Sequence, residues 1–528
     1  MAPATISTDE LAARLTVRRE VPLAVVDVRE RWEFSDGHVP DSSPLPRGQL
    51  EMLAPPALPD RSTCIVLVSS HGERARQAAL TLRDLGYANV LCLAGGLAAW
   101  RSAGQPIATG WGAPGKRLGE QMAHATADLQ ADAAEVARWC AGGEALVIDI
   151  RPRWEHEQGH VPGAYHVPAG ELPLHAATIA AATAQGRYRH VVTHCAGRTR
   201  GIAAAALLRE LGVAGAVALR NGCMGWLLDG RTLEFGPTAA LSSSPAPVDA
   251  AIAARASISP AQRIDVATLL ARFERQESFY AVDVRLPDAY CAGHVPGSVS
   301  LPAGQVLLES EAVLPVAALP VVVIGANDVQ ADWAASHLRL LGWRDVSVLA
   351  GGVDAWGASR ALARGLDAAW TVTTTVPREL EISPGEWQRD PARWDVLDVR
   401  SVGEWGIAHL PDSRCVPRGS LERVLPELQG SAQPLLLVSS RGVRASLAAQ
   451  TLRSLLAGRR EVRVLAGGLQ AVRAAGMRLI EDAPDSSMAS RDTPGRVSAA
   501  VWRMPLERTR PLMLRYLAWE EALVPGPT

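Results

Sequence analysis

The residues with the clearest chemical potential form a cysteine-to-arginine loop near the middle of the chain. Positions 191–201 read Val-Val-Thr-His-Cys-Ala-Gly-Arg-Thr-Arg-Gly, a short apolar run followed by small and basic residues. The apolar run predicts a buried strand, and the alanine-rich stretch 202–211 predicts a helix after the loop. Backbone amides at a helix N-terminus bind anions. Cys195 is therefore a candidate nucleophile beside an anion-binding loop.

The loop residues around Cys195 suit the chemistry of a thiolate. A cysteine beside arginine or a helix N-terminus has a pKa lowered from about 8.5 to roughly 3.5–7.5, and we expect such a lowered pKa for Cys195. The amides from Ala196 to Gly201 can form an anion-binding nest, which the small Ala196 and Gly197 allow. Arg198 and Arg200, on either side of Thr199, carry guanidinium groups that suit a sulfonate or thiosulfate.

Two further side chains are candidates for an auxiliary role. His194 directly precedes the cysteine, and its ring either perturbs the thiol or points away along the strand. Cys223 follows the next apolar run, which should end near the same loop. It would act either as a resolving thiol for Cys195 or as a small residue that fills space beside Trp226.

The framework around this loop occurs four times in the chain. Each copy has an apolar run ending in Asp-x-Arg and then a histidine in Gly-His-Val-Pro or Ala-His-Leu-Pro. The histidine follows the aspartate by eleven residues in every copy. The pairs are Asp27 and His38, Asp149 and His160, Asp283 and His294, and Asp398 and His409. Such a repeat indicates tandem copies of one structural unit.

The alternation of short apolar strands with helical stretches predicts an α/β fold with four tandem modules, each a mainly parallel sheet flanked by helices. Ligands of such sheets bind at the carboxyl ends of the strands, where the Cys195 loop would lie. The predicted modules are 1–108, 120–236, 256–362 and 376–481, with linkers at 103–119, 242–254 and 357–375. In the tail, 482–528, residues 510–523 predict an amphipathic helix that we expect to pack against the fourth module.

Taken together, these motifs resemble the rhodanese sulfurtransferases. The resemblance rests on Asp-x-Arg, Gly-His-Val-Pro-Gly-Ala, the six-residue loop from Cys195 to Arg200 and a terminal Gly-Gly or Asn-Gly pair followed by Trp. It implies that Cys195 attacks a sulfane sulfur, holds it as a persulfide and passes it to an acceptor. It also implies that the amides of 196–200 and the Arg200 side chain bind the donor.

The other three modules lack the cysteine and should be inactive. The first and fourth have Ser69 and Ser439 at this position and keep the loop arginine, as Arg74 and Arg444. The third has Gly325 and loses the arginine. Serine lacks the acidity and polarisability to carry a persulfide. Since Asp149, Arg151 and His160 have counterparts in the inactive modules, we expect that trio to hold the fold.

Composition excludes several classes of function. The net charge of −2, from 53 basic and 55 acidic residues, gives no overall field for nucleic acid or an anionic membrane. We find no apolar run of about 18 residues and no signal peptide, and expect a cytoplasmic protein. Seven scattered cysteines without a C-x-x-C pair argue against disulfides and zinc. We expect no metal and no cofactor.

Three functions remain open. The first is a sulfurtransferase that takes sulfur from a small, thiosulfate-like anion and gives it to a thiol or to cyanide. The second is a persulfide relay or binding scaffold whose inactive modules dock a partner protein. The third, a phosphatase of the same fold, is disfavoured because its loop typically has arginine six positions after cysteine, whereas Arg200 is five after Cys195.

Overall fold

Each module builds the same five-stranded sheet in this computed structural model, which describes residues 3–126, 128–238, 241, 261–365, 377–480, 502 and 504–524. Counted within a module, the strand order is 1-5-4-2-3, and neighbouring strands pair in parallel. Helices follow the strands and cover the sheet. The predicted α/β architecture with four tandem modules is confirmed.

The first two modules have corresponding elements. The first has strands Ala4–Ile6, Leu23–Asp27, Ser43–Pro44, Cys64–Val68 and Val90–Leu93, and helices Thr8–Thr16, Arg31–Asp36, Leu50–Ala57, Glu73–Asp84 and Gly96–Ser102. The second has strands Gln130–Ala131, Ala145–Asp149, Tyr165–His166, His190–His194 and Ala216–Leu219. Its helices are Ala113–Ala125, Ala133–Ala141, Arg153–Glu157, Leu172–Ala184, Thr199–Glu210 and Gly222–Leu228.

The third and fourth modules repeat the pattern. The third has strands Gln262–Ile264, Tyr280–Asp283, Val299–Ser300, Val321–Ile324 and Val346–Leu349, and helices Val266–Glu274, Pro287–Ala292, Val306–Val313, Asp328–Leu340 and Gly352–Gly357. The fourth has strands Glu381–Ile382, Asp395–Asp398, Arg414–Cys415, Leu435–Val438 and Val462–Leu465, and helices Pro384–Arg389, Val402–Ile407, Leu425–Gln429, Val443–Leu456 and Gly468–Ala474. The described part of the tail contains the helix Leu506–Glu521, called the tail helix below.

The central strands are apolar because both faces of each sheet are covered. Every residue of Leu23–Asp27 and of Val321–Ile324 is buried. The helix after each loop strand ends where glycine allows a left-handed backbone in three modules. Gly86, Gly212 and Gly342 have φ of 89°, 92° and 101°, each two residues beyond the last helical residue. Glycine at these positions terminates the helix and starts the return to the sheet.

The chain divides into two compact units. The first unit contains the first and fourth modules, and the second contains the second and third modules together with the tail helix. Within the first unit, Arg47 and Arg418 make ion pairs with Glu422 and Glu51. Within the second unit, the one-turn helices Ala169–Glu171 and Ala303–Gln305 approach so closely that a Cβ on Gly304 would lie 2.9 Å from that of Ala169.

Two sequence-based expectations about the connections were wrong. Residues 113–119 of the expected linker 103–119 are helical, as the start of Ala113–Ala125, and Gly115 and Gly119 let this helix approach its neighbours closely. The tail helix packs on the second module, not the fourth as expected, with Met513 and Leu517 buried. The linker 242–254 and most of 357–375 lie outside the described residues. Among the described helices, none has the length and apolarity to cross a membrane.

Candidate active site

The strand His190–His194 delivers Cys195 to the carboxyl end of the second sheet. The carbonyl of Cys195 accepts a hydrogen bond of 2.9 Å from the amide of Cys223, and the Ala196 carbonyl accepts one of 3.1 Å from Met224. A Cβ on Gly222 would collide with the Cys195 carbonyl oxygen. The terminal glycine of the Asn-Gly pair is therefore required for the loop to pack against the next helix.

The Cys195 sulfur is buried and faces backbone amides. Only 3% of the residue is exposed. Burial raises the pKa of the thiol, although the Arg200 guanidinium and the amides of Gly201 and Gly197 act to lower it, and Glu520 raises it further. The expectation of a lowered pKa for Cys195 is wrong, because removal of water disfavours the thiolate more than the nearby positive groups favour it.

Both loop arginines are already paired. The two terminal nitrogens of Arg200 donate to Glu155 at 2.9 and 2.7 Å. Arg198 donates to Glu120 through Nε and Nη2, at 2.6 and 2.8 Å, and Glu120 is fully buried. Its Nη1 donates to Asn221 and to Glu521. Buried guanidinium groups require such partners, so the backbone amides are the loop donors that these carboxylates leave free of ion pairing.

The tail helix covers the loop, which the sequence did not indicate. The hydroxyl of Thr199 donates to Glu520 Oε1 at 2.6 Å. A Cβ on Gly197 would lie 3.1 Å from Tyr516 Cε1 and 3.3 Å from Glu520 Oε2. Lys116 Nζ lies 4.9 Å from the centre of the Tyr516 ring. These contacts join residues more than 300 positions apart in sequence, so no local spacing could have predicted them.

The side chain of His194 points into the core behind the loop. Its Nδ1 lies 3.6 Å from Cys223 Sγ, and its Nε2 lies 4.0 Å from Asp149 Oδ2. Burial lowers the pKa of His194 to about 4 and raises the pKa of Cys223 to about 12. At neutral pH both side chains are therefore uncharged. His156 completes this buried polar group, with Nδ1 3.0 Å from Asp149 Oδ2.

The Asp-Arg-His trio makes the same contacts in all four modules. In the second module, Arg151 Nη2 donates to Asp149 Oδ2 at 2.6 Å and to the carbonyl of Gly159, and Asp149 Oδ1 also accepts from the Arg151 amide. The backbone of His160 pairs with that of Glu234. The corresponding ion pairs are Arg29–Asp27, Arg285–Asp283 and Arg400–Asp398, each at 2.6 Å. These contacts do not depend on a cysteine in the loop.

A family model matches the chain in each of its four modules. The model describes a rhodanese-like domain, and it matches residues 7–103, 132–229, 265–359 and 385–475. The four matches confirm the fourfold repeat, and each contains the loop position occupied by Ser69, Cys195, Gly325 or Ser439.

Several known proteins are similar to this chain. The crystal structure of a thiosulfate sulfurtransferase from Pseudomonas aeruginosa superposes with a TM-score of 0.81 and 30% identity, and the match covers 99% of this chain and 97% of that one. A sulfurtransferase from Allochromatium vinosum is 34% identical over 102 residues, or 19% of this chain and 92% of that protein. An uncharacterized protein from Synechocystis is 34% identical over 98 residues, which cover 19% of this chain and about half, 54%, of its own length.

Proposed function

The chain belongs to the rhodanese-like domain family, and from this premise we propose that it is a sulfurtransferase whose sulfur carrier is Cys195. The observation that supports this most is the placement of one nucleophilic sulfur in a ring of amides at the carboxyl end of a parallel sheet. The amides of Gly197 and Gly201 face that sulfur. The first, third and fourth modules have Ser69, Gly325 and Ser439 there.

The proposed reaction has two displacement steps. Cys195 first loses its proton to water, and the resulting thiolate forms a bond to the sulfane sulfur of a small anionic donor such as thiosulfate, while the donor's S–S bond breaks and sulfite leaves with the electron pair. An acceptor thiolate or cyanide then attacks the outer sulfur of the Cys195 persulfide, and the Cys195 thiolate leaves. The amides of 196–200 stabilise negative charge on the donor and on the leaving thiolate.

The loop side chains have supporting roles in this proposal. Arg200 is held by Glu155 and raises the positive potential at the sulfur. Arg198 and Thr199 hold Glu120 and Glu520. Since seven cysteines are free in the described residues, we also propose a reducing compartment, the cytoplasm.

Cys223 and His194 are proposed to act on the loop by position. The Cys223 amide holds the Cys195 carbonyl, and the Cys223 thiol rests against His194. With its pKa raised to about 12, the Cys223 thiol is a poor resolving nucleophile. A relay scaffold, in which a partner protein delivers the sulfur to Cys195, is the alternative function, and the three modules without cysteine are what favours it.

Intact-mass spectrometry after exposure to thiosulfate, with sulfite release followed by stopped flow, tests the proposal. We expect the wild-type chain to gain one sulfur with a burst of sulfite. Cys195→Ser should abolish both, whereas Cys223→Ser should leave both within about twofold of wild type, since conservative changes away from the reacting atoms have small effects.

Other outcomes would contradict these assignments. A sulfur gain on another cysteine, or a gain that survives in Cys195→Ser, contradicts Cys195 as the carrier. Labelling by a protein persulfide but not by thiosulfate favours the relay. A slower burst in Cys223→Ser, or a Cys195–Cys223 disulfide after turnover, would assign Cys223 a resolving role.

A further inference from the structure

The carboxylate of Glu520 lies on the loop that would bind the donor. The residue is 1% exposed, and Oε1 is fixed by the Thr199 hydroxyl. The other oxygen, Oε2, is buried and has no hydrogen-bond partner of ordinary geometry among the described residues. It lies 3.3 Å from the position that a Cβ on Gly197 would occupy. A buried carboxylate oxygen therefore lies beside Gly197 of the Cys195 loop, close enough for its charge to act on the Cys195 thiol.

The two loop arginines do not pair with this carboxylate. Lys116, a buried cation of the helix Ala113–Ala125, lies over the rings of Tyr516 and Trp519, with Nζ 4.9 and 4.8 Å from their centres. Arg198 and Arg200 are the cations nearest the loop in sequence, and each is already engaged by other carboxylates, Glu120 and Glu521 for Arg198 and Glu155 for Arg200. Glu520 also raises the pKa of the nearby Tyr516 hydroxyl, which burial already raises. A ligand that enters the loop consequently meets a negative charge that water does not screen.

We propose that Glu520 is a specificity-determining residue of the Cys195 site, which makes the site prefer singly charged sulfane-sulfur donors to dianions. The inference rests on the proposed function and narrows its substrate class. A donor with a sulfonate next to the transferable sulfur brings a second negative charge toward Oε2. Like charges placed together in a desolvated site are strongly unfavourable. A donor whose sulfonyl group carries an alkyl group instead of the third oxygen avoids this repulsion.

Thiosulfate and methanethiosulfonate form a matched pair of probes. Thiosulfate is a dianion, and methanethiosulfonate is a monoanion in which a methyl group replaces one oxygen. Both can give their terminal sulfur to Cys195, and sulfite or methanesulfinate leaves with the electron pair of the broken S–S bond. The second-order rate constant for sulfur gain at Cys195 is measured for each donor by rapid quench and intact mass.

Glu520→Gln is the decisive variant, because its amide oxygen can still accept from Thr199. We expect the ratio of the thiosulfate rate constant to the methanethiosulfonate rate constant to rise about tenfold, on the order of one removed charge repulsion. Glu520→Asp should stay near the wild-type ratio. Glu507→Gln, at an exposed carboxylate of the same helix, is the matched control.

The outcomes separate this inference from the proposed function. If Glu520→Gln speeds both donors equally, the tail helix only obstructs the loop and the specificity role is wrong. An unchanged ratio is equally decisive against it. If neither donor adds sulfur to the wild-type Cys195, the sulfurtransferase proposal itself fails, and the inference fails with it.

Discussion

The second and fourth modules build nearly the same loop around different atoms. The Ser439 hydroxyl accepts from the amides of Gly442 and Ala445 at 3.1 and 3.3 Å, and Ser69 in the first module accepts from its own loop amides at the same distances. Arg444 is paired with Glu404 as Arg200 is with Glu155. The arginine–glutamate pair is therefore common to the first, second and fourth modules, and their loops differ at the position of Cys195, which is Ser69 in the first and Ser439 in the fourth.

The regions behind the two loops differ more than the loops do. The second module buries a polar group there, made of His156, His194 and Cys223. The fourth module has aromatic or aliphatic residues at the same positions, namely Trp405, Val438 and Leu469, and the first has Phe34, Val68 and Leu97. Buried polar side chains cost stability unless they are partnered. The comparison indicates that the second module, which has the cysteine, has polar residues where the first and fourth modules have an apolar core.

The largest expected effect comes from the aspartate that all modules share. Asp149→Asn and Asp398→Asn should each destabilise their own module by about 3–5 kcal/mol, because each leaves a buried arginine without its carboxylate. Asp149→Asn should lower the stability of its module at least as much as Asp398→Asn does, since His156 also contacts Asp149. Hydrogen exchange measured peptide by peptide gives the opening free energy of each module, which a global melt of a multidomain chain would not.

This experiment can also show that the shared aspartate does not have the same role in the second and fourth modules. If Asp398→Asn is neutral while Asp149→Asn abolishes sulfur uptake without loosening its module, then the shared aspartate has a chemical role in the second module. The interpretation of the Asp-Arg-His trio as structural would be wrong.

A second substitution tests whether a cysteine at position 439 is sufficient for the fourth module to take up sulfur. Ser439→Cys in a Cys195→Ser background should restore sulfur uptake from thiosulfate at residue 439, about 10²-fold above that background, the scale that a preorganised set of donors contributes. Peptide mapping locates the added sulfur. Gly325→Cys is the matched control, because a Cβ there would lie 2.8 Å from the Asn327 carbonyl and the loop has no arginine.

No uptake at residue 439 would show that the amide ring and Arg444 are insufficient. The polar group behind Cys195, or the tail helix above it, would then be required for the reaction. Uptake at Gly325→Cys would contradict the dependence on loop geometry.

Sequence patterns predicted the repeated parts of this molecule well. A parallel sheet imposes local requirements that appear in the sequence as continuous apolar strands, helix-ending glycines and a terminal glycine pair. The four modules and the place of Cys195 after a strand could therefore be predicted from the sequence. The direction of the Cys195 pKa shift could not be predicted, because the tail helix that covers the loop is distant in sequence. Glu520 and Glu120 likewise reach the loop only through tertiary packing, as Lys116 reaches the tail helix, and no spacing in the chain marks them.

The smallest predicted effect is on the pH dependence of stability in the second module, and it concerns the polar group behind Cys195. The pKa of His194 is about 4 in the folded chain and about 6.5 when unfolded. Above pH 6.5 the residue is neutral in both states and contributes nothing to this dependence. As pH falls from 6.5 toward 4, the unfolded chain binds a proton that the folded chain excludes, so stability declines, by about 2 kcal/mol at pH 5.

His194→Val, which copies Val438 of the fourth module, should remove that decline. The opening free energy of the second module, from hydrogen exchange corrected for intrinsic rates, should fall about 2 kcal/mol less between pH 7 and pH 5 than in the wild-type chain. Peptides of the fourth module serve as the internal control and should not change. Since His160 and His166 also have lowered pKa values, part of the acid sensitivity should remain. An unchanged decline would mean that His194 is already protonated in the folded module, with Asp149 as its partner.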